Sequence, residues 1–486
     1  MKVKTRTYQN LINGEWVSPQ SGELKESVNP SDNRDIVGYV PVSTKSDVDD
    51  AVQAAKQAFQ TWRKLPGTAR GEYLRKAADI LEQRVDDIAE TLTREMGKTL
   101  IEAKAETLRG VDILRYYVSE GIRSIGEVIP SGDSEALLFT SRVPVGVVGL
   151  ITPWNFPVAI PVHKIAPALV YGNTVVIKSA FETTITAIKV MECFKDAGLP
   201  DGVLNLVSGR GSTIGNALCD HPDIKAISFT GSNDVGKLIA LKAVQRGAKF
   251  QLEMGGKNPV IVTEHADLDL AAEMTVNGSM KSAGQKCTAT SRAIIVKEVY
   301  EPFREKIIQK IKNITVGNAL QTGSYMGPVS SLTQFNSVQE AIKKGVKEGA
   351  RLVLGGNTVK NPKLAYGYYI EPTLFDEVES SMSIAQEEIF GPVLALIKVE
   401  NLEEALQVAN DVKYGLSASI FTNHLDEVFQ YMNEVEAGMI RVNGETTGLE
   451  IHAPFGGIKD SSTQARELGR AAMEFFTSIK TITIKS

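Results

Sequence analysis

Cysteine is scarce in this chain: Cys193, Cys219 and Cys287 are three in 486 residues. They form no CxxC pair, and so sparse and odd a set argues against a disulfide framework and for a reducing, cytoplasmic setting. The five histidines, His163, His221, His265, His424 and His452, are scattered with no HxxxH pair, so no metal site is expected. No long block of lysine and arginine occurs and the net charge is −5, which leaves no evident nucleic-acid surface. The start, MKVKTRTYQNLINGEWV, has basic residues but no apolar stretch behind them, so no signal peptide is expected. The most apolar run, VPVGVVGLITPW at 143–154, is too short and too broken to span a bilayer. Repeats, low-complexity tracts and long linkers are also missing.

What is present is an ordinary globular composition, 43% hydrophobic and 23% charged, with ample apolar material for a large core. At ~150 residues per domain the length predicts two or three domains. Residues 45–120 read as helices; SDVDDAVQAAKQAFQTWRKL has apolar residues at helical spacing behind a Ser46-x-x-Asp49 start. From 143 onward strand-like runs (VGVVGLIT, TVVIK, GVLNLV, AISFT) alternate with helical segments, with Gly or Pro at the joints. That alternation predicts βαβ crossovers and a parallel sheet covered on both faces. A second alternating block runs from about 258 to 455. Two β-like pieces, 127–146 and the tail FFTSIKTITIKS, lie outside both blocks; the tail reads as a strand in need of a partner, and an exposed β edge invites pairing between subunits.

Several short stretches could carry chemistry, and each also has a plainer reading. Cys287, in GQKCTATSR, is either a buried inert thiol or a nucleophile; Lys286 and Arg292 nearby, and a helix start just after it, would favour the thiolate. Glu253, in FQLEMGGKNP, ends a strand before two glycines, where it would reach a substrate or water, or simply sit solvated in a loop. Asn155, in ITPWNFP, is a donor for a developing oxyanion or a turn residue. FTGSNDVG places Gly231 and Gly236 at a strand-to-helix turn suited to phosphate, but without the GxGxxG spacing. Lys178 ends TVVIK, where open α/β sheets bind ligands, or is a surface lysine. In QEEIFGP, Glu388 could accept ribose hydroxyls and Phe390 face a flat ring, or the segment is a turn with Phe390 in the core.

Taken together and in order, ITPWNFP, VVIK, FTGS, LEMGGKNP, GQKC and EEIFGPV resemble the NAD(P)-dependent aldehyde dehydrogenase superfamily, over essentially the whole chain from INGEW to RELG. The resemblance implies an α/β fold: a Rossmann-like cofactor domain (1–124 and 145–255), an α/β catalytic domain (256–456) and a small β oligomerisation arm (125–144 and 472–486), assembled as homodimers or homotetramers. It makes Cys287 the nucleophile, Glu253 the general base and Asn155, with the Cys287 N–H, the oxyanion hole. It places NAD or NADP along Ile151, Thr152, Pro153, Trp154, Lys178, Ala180, Phe181, Gly211, Phe229, Thr230, Gly231, Ser232, Val235, Gly255, Gln334, Glu388 and Phe390. It lines the substrate tunnel with Arg109, Phe156, Ile160, His163, Lys286, Thr288 and Phe455.

Glu253 argues against the CoA-acylating branch, which does not need the water this base would activate. NAD-preferring members usually carry Glu where this chain has Phe181, the acid falling instead at Glu182. A carboxylate there would repel a 2′-phosphate, so its loss removes a penalty against NADP. Arg109, unexpected in a mostly apolar tunnel, is either a surface residue or a bidentate clamp for a carboxylate on the far end of the substrate. GQKCTATSR and LRGVDILRYY are similar to the α-ketoglutaric semialdehyde (2,5-dioxovalerate) dehydrogenases. The expected substrate is therefore a dicarboxylic semialdehyde, with succinic semialdehyde or a broad range of apolar or aromatic aldehydes as alternatives. A dehydrogenase-shaped protein that no longer catalyses would be expected to have lost Cys287 or Glu253, and both are present.

Overall fold

Runs rich in Val and Ile, each bounded by a turn and followed by a helix, build two separate mostly parallel sheets. The computed structural model describes residues 6–448, 450–463 and 465–485; the first five residues of the basic start, and Ser486 at the end of the expected arm, lie outside it. In the first sheet the strands lie in the order Lys249–Glu253, Ile224–Thr230, Val147–Ile151, Thr174–Lys178 and Leu204–Leu206, all parallel. The hairpin Asn10–Ile12 and Glu15–Val17 then extends it antiparallel. Asn13 and Gly14 both adopt positive φ (51° and 77°), the two-residue turn that matches strand twist. Central strands such as Val147–Ile151 and Thr174–Lys178 are buried at every position, as a sheet covered on both faces requires.

The second sheet runs Arg351–Leu354, Thr373–Asp376, Val393–Val399, Thr290–Val296, Asn258–Val262, Ser417–Phe421, Met439–Val442, with only the first pair antiparallel. The tail strand Thr477–Lys485 pairs along its whole length with Ala136–Pro144 of the same chain, and Val128–Ile129 adds a third strand. This small sheet leaves Ile479, Ile484, Leu137 and Val128 more than half exposed.

One expected detail shifts. The helix Lys45–Trp62 is capped by Thr44 and Asp47 rather than Ser46 and Asp49. Asp47 Oδ2 accepts from the Thr44 N–H (2.8 Å) and hydroxyl (3.0 Å), while Oδ1 accepts from the Gln20 N–H (3.0 Å). The buried carboxylate is satisfied on both sides only in that frame.

Candidate active site

Register brings the expected residues to one edge. Ile151 stands opposite Lys178, Phe229 opposite Ile151, and Thr230 opposite Glu253, so four adjacent strands end at the same level. Ligands in open α/β sheets bind outside such carboxyl ends. There, between the two sheets, lies a cavity of about 330 Å³ whose wall includes both Cys287 and Glu253.

The cysteine loop is held under strain. After helix Leu268–Met280 the chain turns through Ser282 (φ 55°), Ala283 (φ 52°) and Gly284 (φ 69°). The left-handed region costs a non-glycine residue about 1–2 kcal/mol. Fixed partners offset it: the Ser282 N–H and hydroxyl both donate to Glu102 Oε1 (2.7 and 3.0 Å), and Gln285 Oε1 accepts from the Ser330 N–H (2.9 Å). Asn258 Nδ2 donates to the Cys287 carbonyl (2.8 Å). Gly284 is required sterically, because a Cβ there would lie 2.1 Å from the Gly391 carbonyl oxygen.

The expected acidifying surroundings of Cys287 are not assembled. Arg292 is fully buried and donates to the Lys257, Val408 and Ala409 carbonyls, and strand Thr290–Val296 follows instead of a helix start. Burial pushes the thiol up to about 12, and the carboxylates of Glu388 and Glu253 add to the rise. The thiol therefore rests protonated at neutral pH and needs a base to become a nucleophile. Cys193 and Cys219 are buried packing residues whose thiols burial pushes up to about 12 and about 11.

Glu253 is not a solvated loop acid. It is buried; the Ser462 hydroxyl donates to its Oε2 (2.5 Å), and Oε1 has no partner. Burial, reinforced by the charge of Glu467, raises its carboxyl well above the usual range. Beneath it Lys164 Nζ donates to Glu467 and to the Ser228 hydroxyl (2.7 Å), which donates on to Gln251 Oε1 (3.1 Å). Ser462, Lys164 and Glu467 were not expected from the sequence. Lys164 did leave a signal, as the one charged side chain in the otherwise largely apolar, fully buried helix Ala159–Val170.

Asn155 lies against the cysteine loop. Its Nδ2 donates to the Gln285 carbonyl (3.1 Å), which leaves one amide hydrogen free, and its Oδ1 is buried without a partner. Next to it, Glu106 Oε1 accepts from the Val158 and Ala159 N–H groups (2.8 and 3.1 Å), while Oε2 takes Lys98 Nζ (2.5 Å). That buried pair pins the loop at the start of helix Ala159–Val170.

The expected cofactor residues trace a groove along the strand ends. Glu388 Oε1 accepts from the Gly256 N–H (3.0 Å), and a Cβ on Gly255 would meet Glu388 Oε2 at 2.1 Å. Burial pushes Glu388 up to about 7. Phe390, at φ 56°, packs edge-on against Trp154 (centroids 5.3 Å apart), and Gln334 Nε2 donates to the Phe390 carbonyl (2.8 Å). Lys178 is buried, its ammonium pushed down to about 8, and its carbonyl accepts from the Thr152 N–H (3.1 Å), just before Pro153. Gly231 donates its N–H to the Glu253 carbonyl (3.0 Å), and Ser232 leads into helix Asn233–Gln245, where Val235 is exposed. At the far end Phe181, after Ala180, carries Lys25 Nζ 4.4 Å above its ring and shares a cavity with Arg210, next to Gly211. The hydroxyls of Thr152, Ser179 and Thr230 are buried without partners. Such orphaned groups, beside a buried ammonium and a buried carboxylate, fit a dinucleotide's phosphates and ribose hydroxyls.

All seven expected substrate residues, Arg109, Phe156, Ile160, His163, Lys286, Thr288 and Phe455, line the cavity that holds Cys287. Burial and the cations Lys164 and Arg109 push His163 down to about 3, so it stays neutral. No helix among the described residues is long and apolar enough to cross a membrane, and no cluster of three metal-ligating side chains occurs among them.

Residues 16–482 match the aldehyde dehydrogenase family. The chain is 57% identical over 483 residues to the alpha-ketoglutaric semialdehyde dehydrogenase of Bacillus subtilis, covering 99% of both chains. Its fold superposes with a TM-score of 0.96 on 3,6-anhydro-L-galactose dehydrogenase in complex with NAP, at 33% identity, covering 99% of this chain and 100% of that one. It superposes equally, TM-score 0.96 and 33% identity, on betaine aldehyde dehydrogenase from Staphylococcus aureus in complex with NAD+, covering 98% and 95%.

Proposed function

The chain belongs to the aldehyde dehydrogenase family, and we propose that it oxidises the semialdehyde of a dicarboxylic acid, such as α-ketoglutaric semialdehyde, to the acid through Cys287. It is an NAD(P)-dependent enzyme. The observation that carries the catalytic reading is that Cys287 and Glu253 share one cavity at the carboxyl edge of the first sheet.

In this reading Glu253 takes the thiol proton and the sulfur attacks the aldehyde carbon. The carbonyl oxygen gains charge and is held by the Cys287 N–H and the free amide hydrogen of Asn155; one such donor typically contributes ~3–4 kcal/mol. A nicotinamide bound near Glu388 and Phe390 supplies the hydride acceptor. The thioester left on Cys287 splits one hard oxidation into two easier steps. Glu253 gives up the thiol proton to solvent, then removes a proton from a water that attacks the thioester and passes it to the departing sulfur, so the acid leaves as the thiol is restored. From below, the charge of Glu467 adds to the raised state of the carboxyl, and Lys164, bound to Glu467, acts against it.

Arg109 supports an anionic substrate. It faces the cavity and has no carboxylate within salt-bridge distance among the described residues. The groove's residues also support the cofactor assignment, with Lys178 at the adenosine ribose, Gly231 and Ser232 under the pyrophosphate and Glu388 at the other ribose. The domain division is part of this reading: 1–124 and 145–255 for cofactor, 256–456 for catalysis, 125–144 and 472–486 as the arm. So are cytoplasmic residence, supported by three free thiols, and a homodimer or homotetramer, supported by the apolar face of the small sheet.

The test is formation of reduced nicotinamide from a panel of carboxylated and neutral aldehydes, with wild type and Cys287→Ala. The expected loss in the variant is about 10³-fold or more, with cofactor binding retained by fluorescence titration. Residual turnover near wild type would remove Cys287 from the mechanism.

A further inference from the structure

We propose that Lys286 is a specificity-determining residue that reads the anionic end of a short aldehyde, its uncompensated ammonium held in the cavity wall one residue from the nucleophile. This rests on the semialdehyde reading and adds to it a preference for short chain length.

Three lysines line the cavity, and they are not equivalent. Lys98 is fully buried and bound at 2.5 Å to Glu106, so its charge is neutralised. Lys281 is on the rim, half-exposed, 3.9 Å from Glu445. Lys286 is buried, yet no hydrogen bond or ion pair engages its Nζ among the described residues. The carboxylates that face it are already occupied. Glu102, on helix Leu100–Glu120, accepts from Thr99 and Ser282 through both oxygens. Glu445, in the loop after strand Met439–Val442, accepts from the Thr447 hydroxyl (2.5 Å). Burial pushes Lys286 down to about 8; Glu102 and Glu445 act against that fall, and Lys281 and Lys98 add to it. An unpaired cation in an apolar wall is costly unless a ligand's negative charge completes it.

Position sets the length. Lys286 and Cys287 are adjacent, so the ammonium lies within one lysine side chain, about 6 Å, of the Cα that directly precedes the nucleophile's. A carboxylate four bonds from the reacting carbon falls in that range. A longer ω-acid would carry its charge past Lys286 toward other parts of the cavity.

The experiment compares kcat/KM for semialdehydes of four-, five- and eight-carbon dicarboxylic acids and for pentanal, in wild type, Lys286→Met and Lys286→Arg. We expect Lys286→Met to raise KM for the two short semialdehydes about tenfold or more beyond any change with pentanal, and less for the eight-carbon one. Lys286→Arg should restore low KM. In wild type, KM for the short semialdehydes should rise as pH passes about 8, where the ammonium loses its proton, and this rise should vanish in Lys286→Arg. Equal losses on charged and neutral aldehydes, or a penalty independent of chain length, would overturn the role of Lys286. A wild type with no preference for carboxylated aldehydes would instead overturn the semialdehyde reading itself.

Discussion

The Ser462 hydroxyl donates a 2.5 Å hydrogen bond to Glu253 Oε2 across 209 residues of chain, while the other oxygen of that buried carboxylate has no partner. One oxygen is thus fixed and the other left free to take a proton. The same bond favours the ionised form, against the burial and the Glu467 charge that oppose it.

Ser462→Ala should therefore raise the Glu253 carboxyl further. A base works only when ionised, so the acidic limb of the kcat profile should move to higher pH by about one unit, with rates converging with wild type at the alkaline end. A limb that stays in place would mean the hydrogen bond does not tune the base.

Glu388 is one of two carboxylates that hold the Cys287 thiol up, and it is itself ionised above about 7. Glu388→Gln removes that charge, so the thiol should fall and more thiolate exist at pH 8.5. Alkylation of Cys287 by iodoacetamide, followed by peptide mass, should speed up by as much as about tenfold. Unchanged alkylation would show that the Glu388 charge does not hold the thiol up.

Arg109→Ala should raise KM for a carboxylated aldehyde by about tenfold or more and spare a neutral one of similar length. Similar effects on both would reduce Arg109 to a packing residue of the cavity wall.

The small sheet presents Ile479 and Ile484 to solvent, 57% and 55% exposed, on a strand already paired along its other edge. A lysine at both positions should leave the subunit folded and shift its mass toward the monomer by light scattering. An unchanged assembly would place the subunit contact elsewhere.

Much of this molecule could be read from sequence patterns. Strand and helix alternation predicted the two parallel sheets, because a strand covered on both faces must be apolar throughout, as Val147–Ile151 and Thr174–Lys178 are. Motif order pointed to Cys287, Glu253 and the seven cavity residues. The cap of the first long helix slipped by two residues, since Thr44 and Asp47 satisfy partners that only folding supplies.

The chain's own text thus determined the fold class and the kinds of side chain available for chemistry, both of which depend on local periodicity and residue type. Tertiary structure alone decided what state those side chains are in. Arg292, five residues from the nucleophile, is turned away to backbone carbonyls, whereas Ser462 and Glu467, some two hundred residues from Glu253, set its charge. Desolvation and Coulomb interactions depend on distance in space, and separation along the chain does not encode it.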